Sequence, residues 1–280
     1  SPGRAILGDQ ATEEAVAALN ARLGYDAPLH ERYLDWVGGL LRGDLGTSYA
    51  YGVPVTELLA EPLVRSLQLG AMAFALGIPL AVVLGMAAAR RPGGLLDRFV
   101  VGLGLIMTVT PAFVIGIVLI VVFAVTLDWL PVNAITPRDA AGLEWLRHLL
   151  LPALTLVAVL FGYVARVTRA GFVEEMRTGY ARAARLKGAS ETRVVLVHVA
   201  RNALAPTAVV IATQAGYLIG GAVVVERLYN YPGIGLAILN ASGNVDIPVL
   251  ASGVMLMGVI QIFFFLVADI VLVALSPRMR

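Results

Sequence analysis

A single lysine, Lys187, stands in the stretch YARAARLKGASETRVVLVHVARNALAP, residues 180–206, with Arg182, Arg185, Arg193, His198 and Arg201 around it. Clustered cations of this kind suit anionic lipid, an acidic partner surface, phosphates or nucleic acid. A phosphate-gripping loop needs Gly-Lys followed by Ser or Thr, whereas Lys187 is followed by Gly188. ATP hydrolysis by this chain is therefore not expected. Bond-making chemistry is equally ill provided for. The chain has no cysteine, which removes thiolate nucleophiles and thiolate metal sites. His30, His148 and His198 lie in separate segments, with none of the close spacings of a metal-ligand set. No Ser/His pair, paired membrane aspartates or His-Glu-x-x-His pattern points to a protease. What is left is the chemistry of docking.

Two helices must present these residues. Tyr180 to Lys187 is a run of good helix formers closed by Gly188, a residue suited to the left-handed position after a helix. Ser190 can cap a second helix to about Ala203, with Pro206 near its junction with the next segment. Val194, Val195, Val197, His198 and Arg201 form an apolar strip flanked by polar residues, and Tyr180, Ala183 and Ala184 offer a small, close-fitting surface. Such a pair fits the groove of a partner protein. It equally fits the surface of an anionic bilayer, and periodicity leaves the two open.

The surrounding chain is apolar: 59% of its 280 residues are hydrophobic and 14% are charged, against about one quarter charged in ordinary soluble domains. Five stretches approach the length of a membrane span without an internal charge: Leu67–Ala89, Phe99–Leu127, Leu149–Ala165, Ala203–Val225 and Ile247–Ala268. The expected fold is an all-α polytopic membrane protein with five spans. The third extends to about Phe172 if Arg166 and Arg169 snorkel or face protein. Gln68, Thr110, Gln214 and Gln261, with breaks at Pro79, Pro111 and Pro152, are candidates for a polar translocation path; interhelical hydrogen bonding accounts for each as well. Asp269 near the end of the last span reads as a structural ion-pair partner, for example of Arg278 or Arg280. With spans on either side of the basic stretch, nucleic-acid binding is not expected.

Basic residues near span ends mark the cytoplasm. The loops on the side of residues 166–201 carry 13 Lys/Arg against 4 Asp/Glu, and the opposite set carries 8 against 14. The basic stretch and the C-terminus are therefore expected to be cytoplasmic and residues 1–65 outside. An external start implies a further span before Ser1. Within the external segment Thr12 should cap a helix to about Leu23, stopped by Gly24, and Pro28 should open a second. Leu29, Tyr33, Trp36, Val37, Leu40 and Leu41 share a face of that helix, expected to pack on the outer ends of the spans rather than meet lipid or a soluble partner.

Eleven residues of the basic stretch carry a resemblance. Tyr180, Arg182, Ala184, Lys187, Gly188, Arg193, Val194, His198, Arg201, Asn202 and Pro206 resemble, at matching spacing, the EAA-type coupling motif of ABC importer permeases of the dipeptide/oligopeptide/nickel group. Arg182 stands where the wider motif has a glutamate, so the salt bridge of other permeases is not carried over. GDLGTSY at 43–49, VVVERLYNYPGIGLAILNA at 223–241, Asp246-Ile247-Pro248 and the ending SPRMR are similar to the same group. The resemblance implies a type I ABC importer permease fold of six helices, the first of them before Ser1. An extracytoplasmic segment 1–62 would precede a transmembrane domain 63–280 with its coupling loop at 174–204. It implies a non-enzymatic subunit of a prokaryotic inner-membrane importer of peptides or similar small polar solutes. Its partners would be a second homologous permease, two ABC ATPase subunits that bind ATP and Mg, an extracytoplasmic solute-binding protein and membrane lipid. Tyr180, Arg182, Ala183, Ala184, Lys187, Gly188, Arg193, His198 and Arg201 would form the ATPase contact. Tyr229, Tyr231, Pro232, Gly233 and Asp246 would form an external loop or binding-protein contact. The alternative is a secondary carrier or channel working alone, which ion-relay residues in the spans would favour; none is visible.

Overall fold

The computed structural model describes residues 2–135 and 142–275, and within them all regular elements are helical. In chain order these are α1 (Pro2–Leu7), α2 (Glu13–Arg22), α3 (Leu29–Leu41), α4 (Val55–Ala89), α5 (Leu95–Val109), α6 (Ala112–Leu119), α7 (Leu143–Glu175), α8 (Gly179–Leu186), α9 (Glu191–Arg193), α10 (Ala200–Ala203), α11 (Ala205–Leu228), α12 (Ile234–Gly243) and α13 (Ile247–Leu275). The π-helical stretch Ile120–Thr126 follows α6, and a second, Val194–Val199, separates α9 from α10. Helices α4, α7 and α13 are each long and apolar enough to cross a membrane, and two bent pairs bring the number to five if each counts as one span. The run expected at Leu67–Ala89 is the C-terminal part of α4, and Leu149–Ala165 is the middle of α7. The run Phe99–Leu127 is not one rod. Thr110 is extended because Pro111 disfavours a helical residue before it, and the axis turns by 110° between α5 and the α6 pair.

The chain forms two compact units, residues 1–66 with 232–258 and residues 67–231 with 259–280. In the first, Thr12 caps α2 by accepting from the Ala15 amide, and Gly24 stops the chain at φ +67°. A small core joins Val55 and Leu59 of α4 to Ala241 of α12 and Val249 of α13. The apolar face of α3 does not pack as expected: α3 has no buried residue, and Leu29 is 78% and Tyr33 61% exposed. Leu29, Tyr33 and Trp36 instead line an open cavity with Leu23, the loop from Leu45 to Tyr49 and Ile247 and Pro248 at the start of α13.

Helix α7 is the post of the second unit. In its most apolar window 72% is buried, against 6% for α13. Glycines set how closely the neighbours approach. Gly162 of α7 and Gly104 of α5 face each other, and a Cβ on Gly162 would lie 2.6 Å from the Gly104 carbonyl oxygen. The core around α7 takes in Leu69, Ala73 and Ala81 of α4, Val100 of α5 and Leu218 and Val225 of α11.

Candidate functional site

Three residues separate the end of α7 from α8, the first helix of the basic stretch. Thr178 bonds back to the Glu175 carbonyl at 2.6 Å, ending one helix and opening α8. The turn after α8 closes with Lys187 N–H on the Ala183 carbonyl and Ala189 N–H on the Ala184 carbonyl. Gly188 holds φ +81° there, a conformation that costs an L side chain about 1–2 kcal/mol. Ser190 then caps the next helix by accepting from the Arg193 amide at 3.4 Å. The expected helix, glycine turn and second helix are present, the second interrupted by a π-helical stretch that includes His198.

The stretch has its own core. Ala181 and Ala184 of α8 are buried with Val194, Val195, Val199 and Ala203, against Phe172 of α7 and Ala89 of α4. Polar bonds close the rim. Arg185 grips Glu191 through two bonds, at 2.7 and 3.3 Å, and donates a third to the Met176 carbonyl at 3.1 Å. The Arg185 guanidinium holds the Glu191 carboxyl below its ordinary value. The Tyr180 hydroxyl donates to the Glu175 carboxylate and accepts from Asn202 at 3.2 Å; partial burial, then the Glu175 bond, push its phenol above the usual value. Arg90, just past α4, reaches Thr192 at 3.3 Å.

These bonds divide the residues expected to dock into two sets. Arg182, Ala183, Lys187, Gly188, Arg193, His198 and Arg201 are exposed. Ala184 is buried and does not offer the small surface expected of it, whereas Tyr180 is 39% exposed while its hydroxyl is bonded within the stretch. One residue was missed. Leu186 is 84% exposed at the apex, and a signal for it exists: Ala181 and Ala184 at helical spacing fix the inward face, which leaves Leu186 outside.

The path candidates do not converge. Gln68 is exposed on α4, and Thr110 and Gln214 are half-buried; no hydrogen bond joins any two of the four among the described residues. Gln261 of α13 lays its amide on Gly216 of α11, with Nε2 buried and unpartnered. Asp269 is exposed, and its expected partners Arg278 and Arg280 lie outside the described residues.

The expected external contact residues are mostly interior. Tyr229 is 1% exposed; its hydroxyl donates to the Gly116 carbonyl at 3.1 Å and stands 2.8 Å from Thr155 Oγ1, tying the end of α11 to α6 and α7. Tyr231 and Gly233 are buried and Pro232 is half-buried. Asp246, 1% exposed, accepts from the Ser48 hydroxyl and from the amides of Tyr49 at 3.1 Å and Ala50 at 3.3 Å. Burial removes Tyr229, Tyr231, Gly233 and Asp246 from any surface contact, and Asp246 instead fixes the GDLGTSY loop.

Residues 81–280 match a family described as binding-protein-dependent transport system inner membrane component. A probable peptide ABC transporter permease protein of Sinorhizobium fredii is 35% identical over 279 residues, covering 100% of this chain and 89% of that protein. A glutathione transport system permease protein of Salmonella typhimurium is 35% identical over 283 residues, with the same coverage. Among solved structures, the inward-facing MetNI methionine ABC transporter superposes with a TM-score of 0.61 at 18% identity, covering 79% of this chain and 97% of that one. An amino acid ABC transporter superposes at 0.56 and 15% identity, covering 80% and 94%.

Proposed function

The chain belongs to the binding-protein-dependent transport system inner membrane components, and from that membership we propose that it forms half of the translocation path of an ATP-driven importer. Its cargo is peptides or similar small polar solutes, the class named for its relatives. The other half is a second homologous permease. Two ATPase subunits that bind ATP and Mg sit on the 174–204 loop, and an extracytoplasmic binding protein delivers cargo to the opposite face. In this reading the loop and the C-terminus are cytoplasmic and residues 1–65 are outside, the arrangement that the basic bias favours.

The observation that carries the reading is the loop's construction. It has a core and a rim of its own, is continuous with α7, whose most apolar window is 72% buried, and leaves Leu186 bare among Arg182, Lys187 and Gly188. An exposed leucine on a braced, basic projection favours a protein groove over solvent. ATP-driven movement of the ATPases would displace this projection and, through α7, rock the spans between two access states. Arg182, Ala183, Leu186, Lys187 and Gly188 make the contact, with Arg193, His198 and Arg201 at its edge. Tyr180 and Ala184 keep the projection in shape.

The test is co-purification with the ATPase subunits, together with uptake, for Leu186→Asp and Gly188→Trp. Both variants should insert in the membrane at wild-type levels while ATPase capture and uptake are lost. Retention of both properties in either assembled variant overturns the docking role.

A further inference from the structure

Asp97 and Arg169 form a two-pronged ion pair: Arg169 Nε lies 2.7 Å from one carboxylate oxygen and Nη2 2.8 Å from the other. The second oxygen also accepts from the Gly93 amide at 2.7 Å. The Asp97 side chain is only 6% exposed. Arg169 is 28% exposed, so the cost of breaking the pair falls mainly on Asp97, whose charge would be left without a partner away from water. The pair's position makes it more than a brace. Asp97 is in the first turn of α5, and Gly93 is in the turn between α4 and α5. Arg169 is less than two helical turns before Glu175, where α7 gives way to the 174–204 loop.

Two routes therefore join the loop to α5. One is the last stretch of α7, the helical segment from Arg169 to Glu175 that leads into the loop. The other is Arg90, ahead of the same turn, which reaches Thr192 inside the loop. From Asp97, α5 runs straight to Thr110-Pro111, where the chain bends by 110°. At such a break the helical bond ladder is interrupted, so the pieces on either side can change their angle more easily than a continuous helix can. Midway, Gly104 and Gly162 let α5 and α7 touch closely, but a glycine contact resists separation only weakly and leaves sliding open. The ion pair is the directional link, since a planar guanidinium and a carboxylate fix each other's orientation through two parallel bonds.

We propose that Asp97 and Arg169 are positioning residues for coupling: their ion pair makes α5 move with α7, so that displacement of the loop reaches the Thr110-Pro111 bend. This rests on the importer reading above. It assigns a function to two charges outside both the residues read as ATPase contacts and the path candidates.

The experiment uses the assembled importer, with both permeases, the ATPases and the binding protein, in proteoliposomes, and reads cargo taken up per ATP hydrolysed. Asp97→Asn keeps an acceptor for Gly93 and loses the charge; Arg169→Lys keeps the charge and loses the fork. Both variants should assemble and hydrolyse ATP within about twofold of wild type, while uptake per ATP falls about tenfold in Asp97→Asn and less in Arg169→Lys. The double variant should be no worse than Asp97→Asn alone. An unchanged ratio of uptake to hydrolysis in either assembled variant overturns the proposal, and so does failure of both to assemble, which would assign the pair to folding alone. Failure of the wild-type chain to bind ATPases or import cargo would instead overturn the importer reading itself.

Discussion

The Asn202 side-chain amide donates to the Tyr180 hydroxyl at 3.2 Å, so the end of the second helix of the 180–206 stretch is tied to the first turn of α8. The same hydroxyl donates to the Glu175 carboxylate at the end of α7. One phenol therefore closes the stretch on the helix that supports it. Tyr180→Phe removes both bonds and keeps the ring. With about 1 kcal/mol for the net loss, amide hydrogen exchange at 191–203 should accelerate about fivefold. Asn202→Ala should speed exchange in the same segment, and the double variant should add little. Unchanged exchange in Tyr180→Phe would show that the apolar core alone holds the stretch closed.

Gly162 and Gly104 allow α7 and α5 to meet. A side chain at Gly162 runs into Thr108 and the Gly104 carbonyl, and helix backbones cannot part without opening the core on either side. Gly162→Leu should destabilise the protein by about 1–3 kcal/mol, read as a lower unfolding temperature in detergent. Gly102, with nothing near its would-be Cβ, is the control. Gly102→Ala should leave stability unchanged or raise it by up to about 1 kcal/mol. A Gly162→Leu protein as stable as wild type would mean that the helices do not pack this closely.

Asp246 receives three donors from residues 48–50. Bonds to a buried carboxylate contribute about 1.5–3 kcal/mol each when judged by removal. Asp246→Ala should release the GDLGTSY loop and raise chymotrypsin cleavage at Tyr49 and Tyr51 above the wild-type rate. Asp246→Asn keeps acceptor capacity and should fall between the two. Equal cleavage of all three proteins would show that the loop is held by other means.

Much of this architecture was readable because it depends on local rules. The caps at Thr12 and Ser190, the left-handed turns at Gly24 and Gly188, and the break at Thr110-Pro111 each follow from one or two residues whose backbone preferences leave few choices. The importer family was legible for a different reason: eleven residues at fixed spacing make a local motif that is read without knowing which of them are buried. What the sequence hid was long-range pairing. Nothing local joins Asp97 to Arg169, Ser48 to Asp246 or Tyr229 to Thr155, separated by 72, 198 and 74 positions. Tyr229 and Asp246 lie in segments whose resemblance points to an external loop, and a resemblance of that kind says nothing of burial. Each is interior because a distant backbone group needed a partner. The α3 face failed in the opposite sense, since periodicity shows which residues share a side but not whether anything covers it.

The burial of α7 also bears on how the molecule is made. Its wrapping comes from α4 to α6, which leave the ribosome before it, and from α11, which leaves after it. A nascent chain that has reached only residue 204 holds its central post with one flank still facing the lipid or the insertion machinery. Closure of that flank by α11 is then the step that commits the second unit, and premature termination upstream of Ala205 should yield a species that membrane quality control recognises and degrades.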